Sequence, residues 1–358
     1  MKRLLKLVGG LGLAAVIGWL ALRPQAGPDA RLVEREFLSM GTMLSVSLYL
    51  DDGQDRTAAE QALRELEAHL NGYAQRWTAW GNGELGTLNR QLASGAAVEI
   101  PADMQALFSL AARRSRLSGQ RFDIRVGRLV ELWGFNDETR YRSAPPDGAQ
   151  IAEAVRALAA APPLDETAQR YGPASGIWFD FGAIAKGDAL DLAIDELRSK
   201  GYPNAIVNAG GNLRTSGVRG DRPWRIGIRH PRPEQRDGAQ SGVLASMDVD
   251  DGEAVVTSGD YERYFEFEGR RYHHLLDPHS GEPAGGLQAV TVVAPLGALA
   301  DATTTALFVA GPGEWRQVAR DMDTPLAFVV LDDGSVQITA ALAKRMKFAD
   351  GVQVGILP

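Results

Sequence analysis

The sequence predicts an α+β fold, with mixed or antiparallel sheets and helices packed against them. Segments with helical periodicity and segments with strand-like alternation follow one another without the regular strand–helix–strand order of a doubly wound sheet. No Gly-x-Gly-x-x-Gly follows a predicted strand, so a Rossmann dinucleotide site is not indicated. The chain has 358 residues, of which 45% are apolar, and this is ample for a large globular core.

Four helices are predicted from apolar residues at three- and four-residue spacing. They cover residues 56–73, residues 102–117, a segment that Asp147 can cap and that ends before Pro162, and residues 186–200. In the first helix, Leu63, Leu66 and Leu70 fall on one face. Strands are predicted where apolar and β-branched residues form short runs. They cover residues 42–50, 205–208, 224–228, 254–258, 264–267 and 290–293, and a hairpin of 328–331 and 336–339 around Asp332-Asp333-Gly334.

The first residues resemble a targeting segment. Lys2, Arg3 and Lys6 precede an uncharged, mostly apolar run over residues 7–22. We therefore expect residues 1–26 to be a signal peptide or an uncleaved membrane anchor, residues 27–35 a linker, and residues 36–358 the folded domain. The basic flank stays inside, which predicts an exported protein on the periplasmic side of the inner membrane.

Charge and cysteine content exclude several classes of function. The formal net charge is -7, so a nucleic-acid backbone is not an expected partner. The chain has no cysteine, which excludes disulfides, thiolate metal sites and thiol nucleophiles.

Two glycine-containing segments are candidates for ligand binding. "DFGAIAKGDALD", from Asp180 to Asp191, combines a turn, Lys186 and the start of a helix, which suits an anion. An ordinary strand–turn–helix corner with an incidental lysine explains it equally well. "NAGGNLRTSG" follows a short strand, and Gly210-Gly211 either lets the backbone approach a ligand or forms a tight turn.

A third segment, "ADATTTALFVAG", places Asp301 and Thr305 four residues apart. On a helix their oxygens share a face, and a carboxylate with a hydroxyl suits a hard cation such as Mg²⁺. The alternative is an aspartate that caps a helix and a threonine that hydrogen-bonds back to its own helix.

A fourth segment, "YHHLLDPHSG", holds three of the five histidines. It is compatible with a zinc site, an acid–base group or a polar loop. His273 and His274 are adjacent, so in a strand they face opposite sides and cannot easily share one metal. One of them can point into a site, where a single imidazole suits general-base catalysis near neutral pH.

Taken together and in order, six segments resemble the ApbE family of FAD:protein FMN transferases from about Glu36 onwards. They are "MGTMLSVSLY", "FDIRVGRLVELWGF", "DFGAIAKGDALD", "NAGGNLRTSG", "VVTSGDYERYFEFEGRRYHHLLDPHSGEP" and "VTVVAPLGALADATTTALFVAG". The resemblance implies a T-fold-like ApbE architecture, FAD as substrate and Mg²⁺ as cofactor. It also implies transfer of FMN to a Thr or Ser hydroxyl of an acceptor protein, with release of AMP.

The resemblance also assigns residues. His274 matches the general base, and His273 is then expected to face outward. The metal ligands are Ala183 through its carbonyl, Asp301 and Thr305. The expected FAD contacts are Met40, Trp80 (with Trp77 as the alternative), Phe122, Asp123, Asp180, Lys186, Gly210, Gly211, Thr257, Ser258, Gly259 and Leu275.

Three positions depart from the family pattern. Ala183 and Asp188 stand where Gly and Tyr are usual, and we expect the Asp188 carboxylate to point away from the diphosphate. Arg125 stands where Thr is usual, which removes that hydroxyl or adds a cation. The alternatives to the transferase are a metal-dependent FAD pyrophosphatase and an exported protein that binds FAD without chemistry. The expected acceptor is an exported domain of a membrane redox complex.

Overall fold

The computed structural model of the chain describes residues 30–137, 139, 141–233 and 242–357. The segment that the sequence predicts to be a signal peptide or anchor, residues 1–26, lies outside these ranges. Among the residues described, no helix combines the length and apolarity that crossing a membrane requires.

A nine-stranded sheet forms the centre of the molecule, in the order β1-β2-β5-β6-β9-β12-β13-β14-β16. All neighbours in it are antiparallel except β14 and β16. Its strands are β1 (Leu32–Ser39), β2 (Thr42–Tyr49), β5 (Ala205–Ala209), β6 (Asn212–Ser216), β9 (Ala254–Gly259), β12 (Leu287–Ala294), β13 (Ala327–Leu331), β14 (Val336–Thr339) and β16 (Val354–Leu357).

Three smaller sheets surround it, of which one has three strands and two have two. Their strands are β3 (Val98–Glu99) with β4 (Arg170–Tyr171), β7 (Trp224–Arg229) with β8 (Val243–Val249) and β15 (Lys347–Phe348), and β10 (Tyr264–Phe267) with β11 (Arg270–His273).

The helices are α1 (Arg56–Trp77), α2 (Glu84–Ala93), α3 (Gln105–Leu117), α4 (Gly127–Leu132), α5 (Gly148–Ala160), α6 (Ala185–Ser199), α7 (Gly297–Asp321) and α8 (Ala340–Ala343). Helix α7 is broken at Gly311, where φ is 68°, and Pro312 begins its second part. Asp55 caps α1 and Asp147 caps α5, each accepting a backbone N–H of the first turn.

The central sheet is covered on both faces. Helices α1, α6 and α7 pack on one face, and the sheet of β7 and β8 packs on the other. Strand β12 is buried at every position, which explains why its sequence, "LQAVTVVA", is an almost continuous apolar run rather than an alternation. The α+β prediction is confirmed.

The predicted elements form, with ends shifted by a few residues. The predicted hairpin of residues 328–331 and 336–339 is β13 and β14. The linker prediction is wrong at its C-terminal end, because β1 begins at Leu32 and pairs with β2 along its whole length. This edge strand buries Val33 and Phe37 between exposed charged residues, and those charges obscure its apolar pattern.

Candidate active site

Two tight turns lie side by side at one end of the central sheet, because β2 pairs with β5. Met40 and Gly41 join β1 to β2, and Gly210 and Gly211 join β5 to β6; their φ angles are 52°, 71°, 63° and 106°. A Cβ on Gly210 would lie 2.3 Å from the hydroxyl oxygen of Thr42, so only glycine fits. Met40 is half-buried, and its left-handed backbone is a strained conformation of the kind that collects at functional sites.

The end of β9 lies next to these turns. The Thr257 N–H donates to Oδ1 of Asn212 at 3.1 Å, which holds β9 against the β5–β6 turn. The Ser258 hydroxyl donates to the Thr304 hydroxyl at 2.8 Å and so joins β9 to α7. Gly259 is buried. Thr257 and Ser258 therefore lie beside these turns and α7, and Gly259 ends the strand that carries them.

Helices α6 and α7 begin beside each other at this end of the sheet. A Cβ on Gly187 would lie 2.2 Å from the carbonyl oxygen of Gly297, and a Cβ on Gly297 would lie 2.4 Å from that of Gly187. Such an approach is open only to glycine. It brings the positive ends of two helix dipoles together, which is a favourable place for an anion.

The two helices cap each other. Oδ2 of Asp301, on α7, accepts the Gly187 N–H of α6 at 3.0 Å. Asp191, on α6, accepts the N–H groups of Gly297 and Ala298 on α7 at 2.6 and 3.0 Å. The residue before each helix is apolar and supplies no side-chain cap. Each aspartate therefore satisfies orphan donors that its partner helix cannot satisfy itself.

The Asp301 carboxylate lies at the meeting point of these elements. Only 2% of the residue is exposed, and Oδ1 is 3.4 Å from the Asn212 amide nitrogen. Burial raises the pKa of Asp301, while Lys186, the Gly187 N–H and Arg263 act in the opposite direction. The carboxylate therefore carries a desolvation cost, and no cation of the described residues lies in ion-pair contact to offset it.

Thr305 lies one helical turn after Asp301, as the sequence predicts. The hydroxyls of Thr303 and Thr304 donate back to carbonyls of their own helix, at 2.6 and 2.8 Å. The Thr305 hydroxyl makes no hydrogen bond within the described part of the chain, so the back-bonded alternative is not realised. Ala183 lies in the turn just before α6, and it is half-buried.

These three residues fit a magnesium ion by their chemistry. They offer oxygen atoms only, with one carboxylate among them. In the residues described, no three acidic, histidine or cysteine side chains gather as metal ligands. A cation at Asp301 would therefore take further oxygens from substrate or water, which is the usual habit of Mg²⁺ at phosphate sites.

Two cationic side chains act on Asp301. Lys186 is in the first turn of α6, and Arg263 lies just before β10. Across the described residues, neither has an acidic ion-pair partner. Asp180 accepts the Gly182 N–H at 2.6 Å and fixes the turn that precedes α6.

His274 follows β11 and is half-buried. Its Nδ1–H donates to the Arg263 carbonyl at 3.3 Å, because a carbonyl can only accept, and Nε2 is left as the acceptor nitrogen. Burial holds its pKa well below the usual value, and Arg263, His273 and Lys186 lower it further. The imidazole is therefore neutral near pH 7 and can accept a proton.

The prediction that His273 faces outward is wrong. Its side chain is buried on α7, where Nε2–H donates to the Ala284 carbonyl at 2.8 Å and the ring meets Phe308 edge-on. Burial lowers its pKa to about 4. The chain turns after β11, and residues 275–284 cover the face on which His273 lies. Alternation correctly predicted that His273 and His274 point in opposite directions, but it did not predict that the His273 side would be covered. His279 is exposed and contacts Asp277, which leaves no shared metal site.

The aromatic residues divide into core and surface. Trp77 is buried and stacks on Tyr73 with ring centroids 4.5 Å apart. Trp80 is half-buried and stacks on Trp178 at 5.5 Å, and Arg128 covers the Trp178 ring. Of the two competing tryptophans, only Trp80 presents a ring that a ligand can reach.

Two predicted flavin contacts are placed in the interior. Phe122 is 1% exposed, and the Asp123 carboxylate is held on both oxygens by Arg125 at 2.5–3.0 Å. Arg125 also donates to the Pro162 carbonyl at 2.7 Å, so it adds no free cation to the site. As placed, neither predicted side chain is open to a ligand. Leu275 is likewise buried, at 4% exposed.

Asp188 accepts a hydrogen bond from the Tyr73 hydroxyl at 2.7 Å, which directs its carboxylate toward α1. Burial raises its pKa to about 6.

Sequence reasoning missed three residues of this region: Asp191, Asn212 and Arg263. Each lies inside a segment that the sequence singles out, but its role depends on a partner far along the chain.

Two cavities in the described residues lie elsewhere. One of about 210 Å³ is bordered by Asp260 and Asp332, and the other by Arg121 and Glu314. Neither is lined by Asp301 or Lys186.

Comparison with known proteins identifies similar chains. The model of the ApbE family matches residues 40–329. The FAD:protein FMN transferase of Rhodobacter capsulatus is 35% identical over 352 residues, which cover 96% of this chain and 64% of that protein. This chain therefore spans less than two thirds of that relative's length.

Solved structures share the fold over almost their whole length. The ApbE protein of Thermotoga maritima is 31% identical, with a TM-score of 0.75 over 88% of this chain and 99% of that one. The flavinyl transferase ApbE of Pseudomonas stutzeri is 30% identical, with a TM-score of 0.72 over 90% of this chain and 98% of that one.

Proposed function

This chain belongs to the ApbE family, and we propose that it transfers FMN from FAD to a Thr or Ser hydroxyl of an acceptor protein, with release of AMP. One observation carries the proposal. The N-termini of α6 and α7 converge beside a buried carboxylate, a lysine and a neutral histidine. These groups can bind a diphosphate, stabilise its negative charge and accept the proton of an attacking hydroxyl.

The FAD diphosphate fits at the two helix N-termini, next to Lys186. Backbone N–H groups there carry partial positive charge, and Lys186 adds a full charge without an acidic partner in the described part of the chain. Trp80 and Met40 are both half-buried and are the proposed flanks of the ring systems.

Asp301, Thr305 and the Ala183 carbonyl are the proposed holders of Mg²⁺. When bound, the ion supplies neutralisation of charge on the phosphate oxygens. The chain's own residues prepare for it. Gly187 holds one carboxylate oxygen of Asp301, Asn212 lies 3.4 Å from the other, and the side chain keeps one orientation.

His274 is the proposed general base. The acceptor hydroxyl oxygen forms a bond to the phosphorus of the FMN half, and the bond from that phosphorus to the AMP oxygen breaks. The hydroxyl proton passes to Nε2 of His274, whose orientation is set by the Nδ1–H bond to Arg263. AMP leaves with the bridging oxygen.

We also propose that the reaction takes place on the periplasmic side of the inner membrane, on an exported domain of a membrane redox complex. The basic and apolar residues 1–22 support this proposal.

The test is mass spectrometry of an exported acceptor protein after incubation with FAD and Mg²⁺. We expect a mass gain of one FMN on a Thr or Ser and an equal amount of AMP. AMP produced at the same rate without acceptor would instead identify a pyrophosphatase, and tight FAD binding without any AMP would identify a binding protein.

The base assignment has its own test. His274→Gln should slow transfer by about 100-fold or more, because a neutral amide cannot accept the hydroxyl proton. His279→Gln, in the same segment but exposed, is the matched control and should transfer at the wild-type rate. Full activity of His274→Gln would place the base elsewhere.

A further inference from the structure

We propose that Arg263 binds the diphosphate of FAD together with Lys186. This inference rests on the proposed function, since it assigns a further residue to the same substrate. The segment that contains this arginine, "VVTSGDYERYFEFEGRRYHHLLDPHSGEP", is one of the six that carry the family resemblance, but no predicted role falls on Arg263 itself.

The position of Arg263 is set by the β10–β11 hairpin. Tyr264 pairs with His273, so Arg263 and His274 are the next pair at the open end of the hairpin. The His274 N–H donates to the Arg263 carbonyl at 3.1 Å, and the His274 ring donates to the same oxygen. The proposed base and the guanidinium group therefore belong to two residues that face each other across the hairpin and are joined by two hydrogen bonds.

The guanidinium group faces the turn that leads into α6. A Cβ on Gly182 would lie 3.8 Å from Nη2 of Arg263, so the group lies against this turn, which also contains the Ala183 carbonyl. Within the described chain, the guanidinium group otherwise makes one long hydrogen bond, from Nη1 to the Phe135 carbonyl at 3.5 Å. Most of its donors are thus available to a ligand.

The charge of Arg263 reaches the centre of the site. It acts on both the Asp301 carboxylate and the His274 ring, which lie on different elements. Neighbouring arginines are already paired: Arg229 with Glu262, and Arg232 with Asp260. In the described residues Arg263 has no such acidic partner. A half-buried guanidinium group without an acidic partner is well suited to bind an anionic ligand.

Chemistry favours a diphosphate as that anion. A guanidinium group presents parallel N–H donors that match two phosphate oxygens, whereas Lys186 offers one point charge. Two cations beside two helix N-termini match the charge of a nucleotide diphosphate. A flavin without phosphate would gain nothing from Arg263.

The experiment compares Arg263→Gln with Arg270→Gln in the full chain, titrating FAD, ADP and riboflavin by calorimetry. Arg270 lies on the same hairpin, with its guanidinium over the Tyr272 ring, and serves as the control. Arg263→Gln should weaken FAD and ADP by about tenfold to hundredfold and leave riboflavin unchanged. Arg270→Gln should bind all three as the wild type does.

Unchanged FAD affinity in Arg263→Gln would overturn the proposal, and so would an equal loss for FAD and riboflavin, which indicates a structural role. Arg263→Lys covers the case in which the Gln variant does not fold. The FAD affinity of this variant should fall by about threefold to tenfold, because one point charge replaces paired donors. An unchanged affinity would show that Arg263 does not bind the diphosphate through paired donors. A wild-type chain that binds FAD through Arg263 but forms no flavinylated acceptor would instead refute the transferase.

Discussion

Asp191 and Asp301 have matching capping roles in the two helices, yet their surroundings differ. Each is buried, each caps the N-terminus of the other's helix, and burial raises the pKa of each. Nη1 of Arg214 lies 2.9 Å from Oδ1 of Asp191, in a charge contact whose angles do not make a hydrogen bond. Asp301 has no ion-pair partner among the described residues: beyond the Gly187 N–H, the Asn212 amide is 3.4 Å away, and Lys186 and Arg263 act from a longer distance.

On the proposed function, this difference separates a structural acid from one that holds a metal ion. A buried carboxylate is tolerated when a cation accompanies it, and Asp191 meets this condition within the protein. Asp301 has no cation of the described chain in ion-pair contact, and the proposed Mg²⁺ would supply that charge. Two residues with the same capping role can therefore be told apart by whether the chain itself completes the charge pair.

The largest effect is expected from Asp301→Asn. The amide oxygen can still accept the Gly187 N–H, so folding stability should stay the same or rise slightly as an uncompensated charge is removed. Transfer of FMN should fall by at least about 100-fold, because the only charged ligand of the proposed Mg²⁺ site is lost.

Initial rates of AMP release in excess Mg²⁺, together with urea denaturation, measure both quantities. Asp321→Asn, at the exposed far end of the same helix, is the control. Wild-type transfer by Asp301→Asn would show that the metal assignment is wrong.

A smaller effect, and on stability rather than chemistry, is expected from Asp191→Asn. Arg214 is 7% exposed in its side chain and would be left as a buried charge whose remaining acidic neighbour, the exposed Asp195, is 3.9 Å away. We expect a loss of about 3 kcal/mol in the free energy of unfolding, with the transfer rate per folded molecule changed by no more than a few-fold.

Urea denaturation checks the loss, and Asp195→Asn is the matched control, since Asp195 lies one turn along α6, 3.9 Å from Arg214 and 70% exposed. That control should stay within about 0.5 kcal/mol of the wild type. The comparison of the two acids fails if Asp191→Asn abolishes transfer while the protein remains fully stable.

The smallest effect concerns pH. Because the folded-state pKa of Asp301 is raised, its contribution to stability is greatest at low pH and is lost as pH rises through that pKa. A bound cation favours the ionised carboxylate and should therefore stabilise the protein more at about pH 7.5 than at about pH 5.5.

At roughly ten times the dissociation constant of Mg²⁺, with FAD present, the gain should be about 1.4 kcal/mol. Thermal melts with and without Mg²⁺ measure it. Asp191→Asn should keep the Mg²⁺ shift and Asp301→Asn should lose it; equal shifts in the two variants would contradict the distinction.

The sequence predicted the parts of this region that depend on local pattern. Helix α6 and the strand before "NAGG" follow from periodicity, and Asp301 and Thr305 share a face because α7 is helical. The segment order also indicates the ApbE family, which the comparisons confirm.

The sequence did not predict which groups would be buried or paired. The prediction for His273 put it in solvent, whereas residues 275–284 cover it, and a period-two pattern cannot show what lies over a strand's far face. Arg125 looked like a possible free cation, but it lies against Asp123 two residues away, because both are folded into the interior together.

The sequence by itself determined the elements, the family and the oxygen-rich composition of the site, because these depend on residue types at short spacing. Only the tertiary structure decided that Asp301 caps a helix that begins more than a hundred residues earlier in the chain, that Asp191 returns the interaction with Arg214 beside it, and that Arg263 faces the same turn. The physical reason is that charge compensation depends on the distance between groups in space. For residues far apart in the chain, that distance is set only by the folded structure.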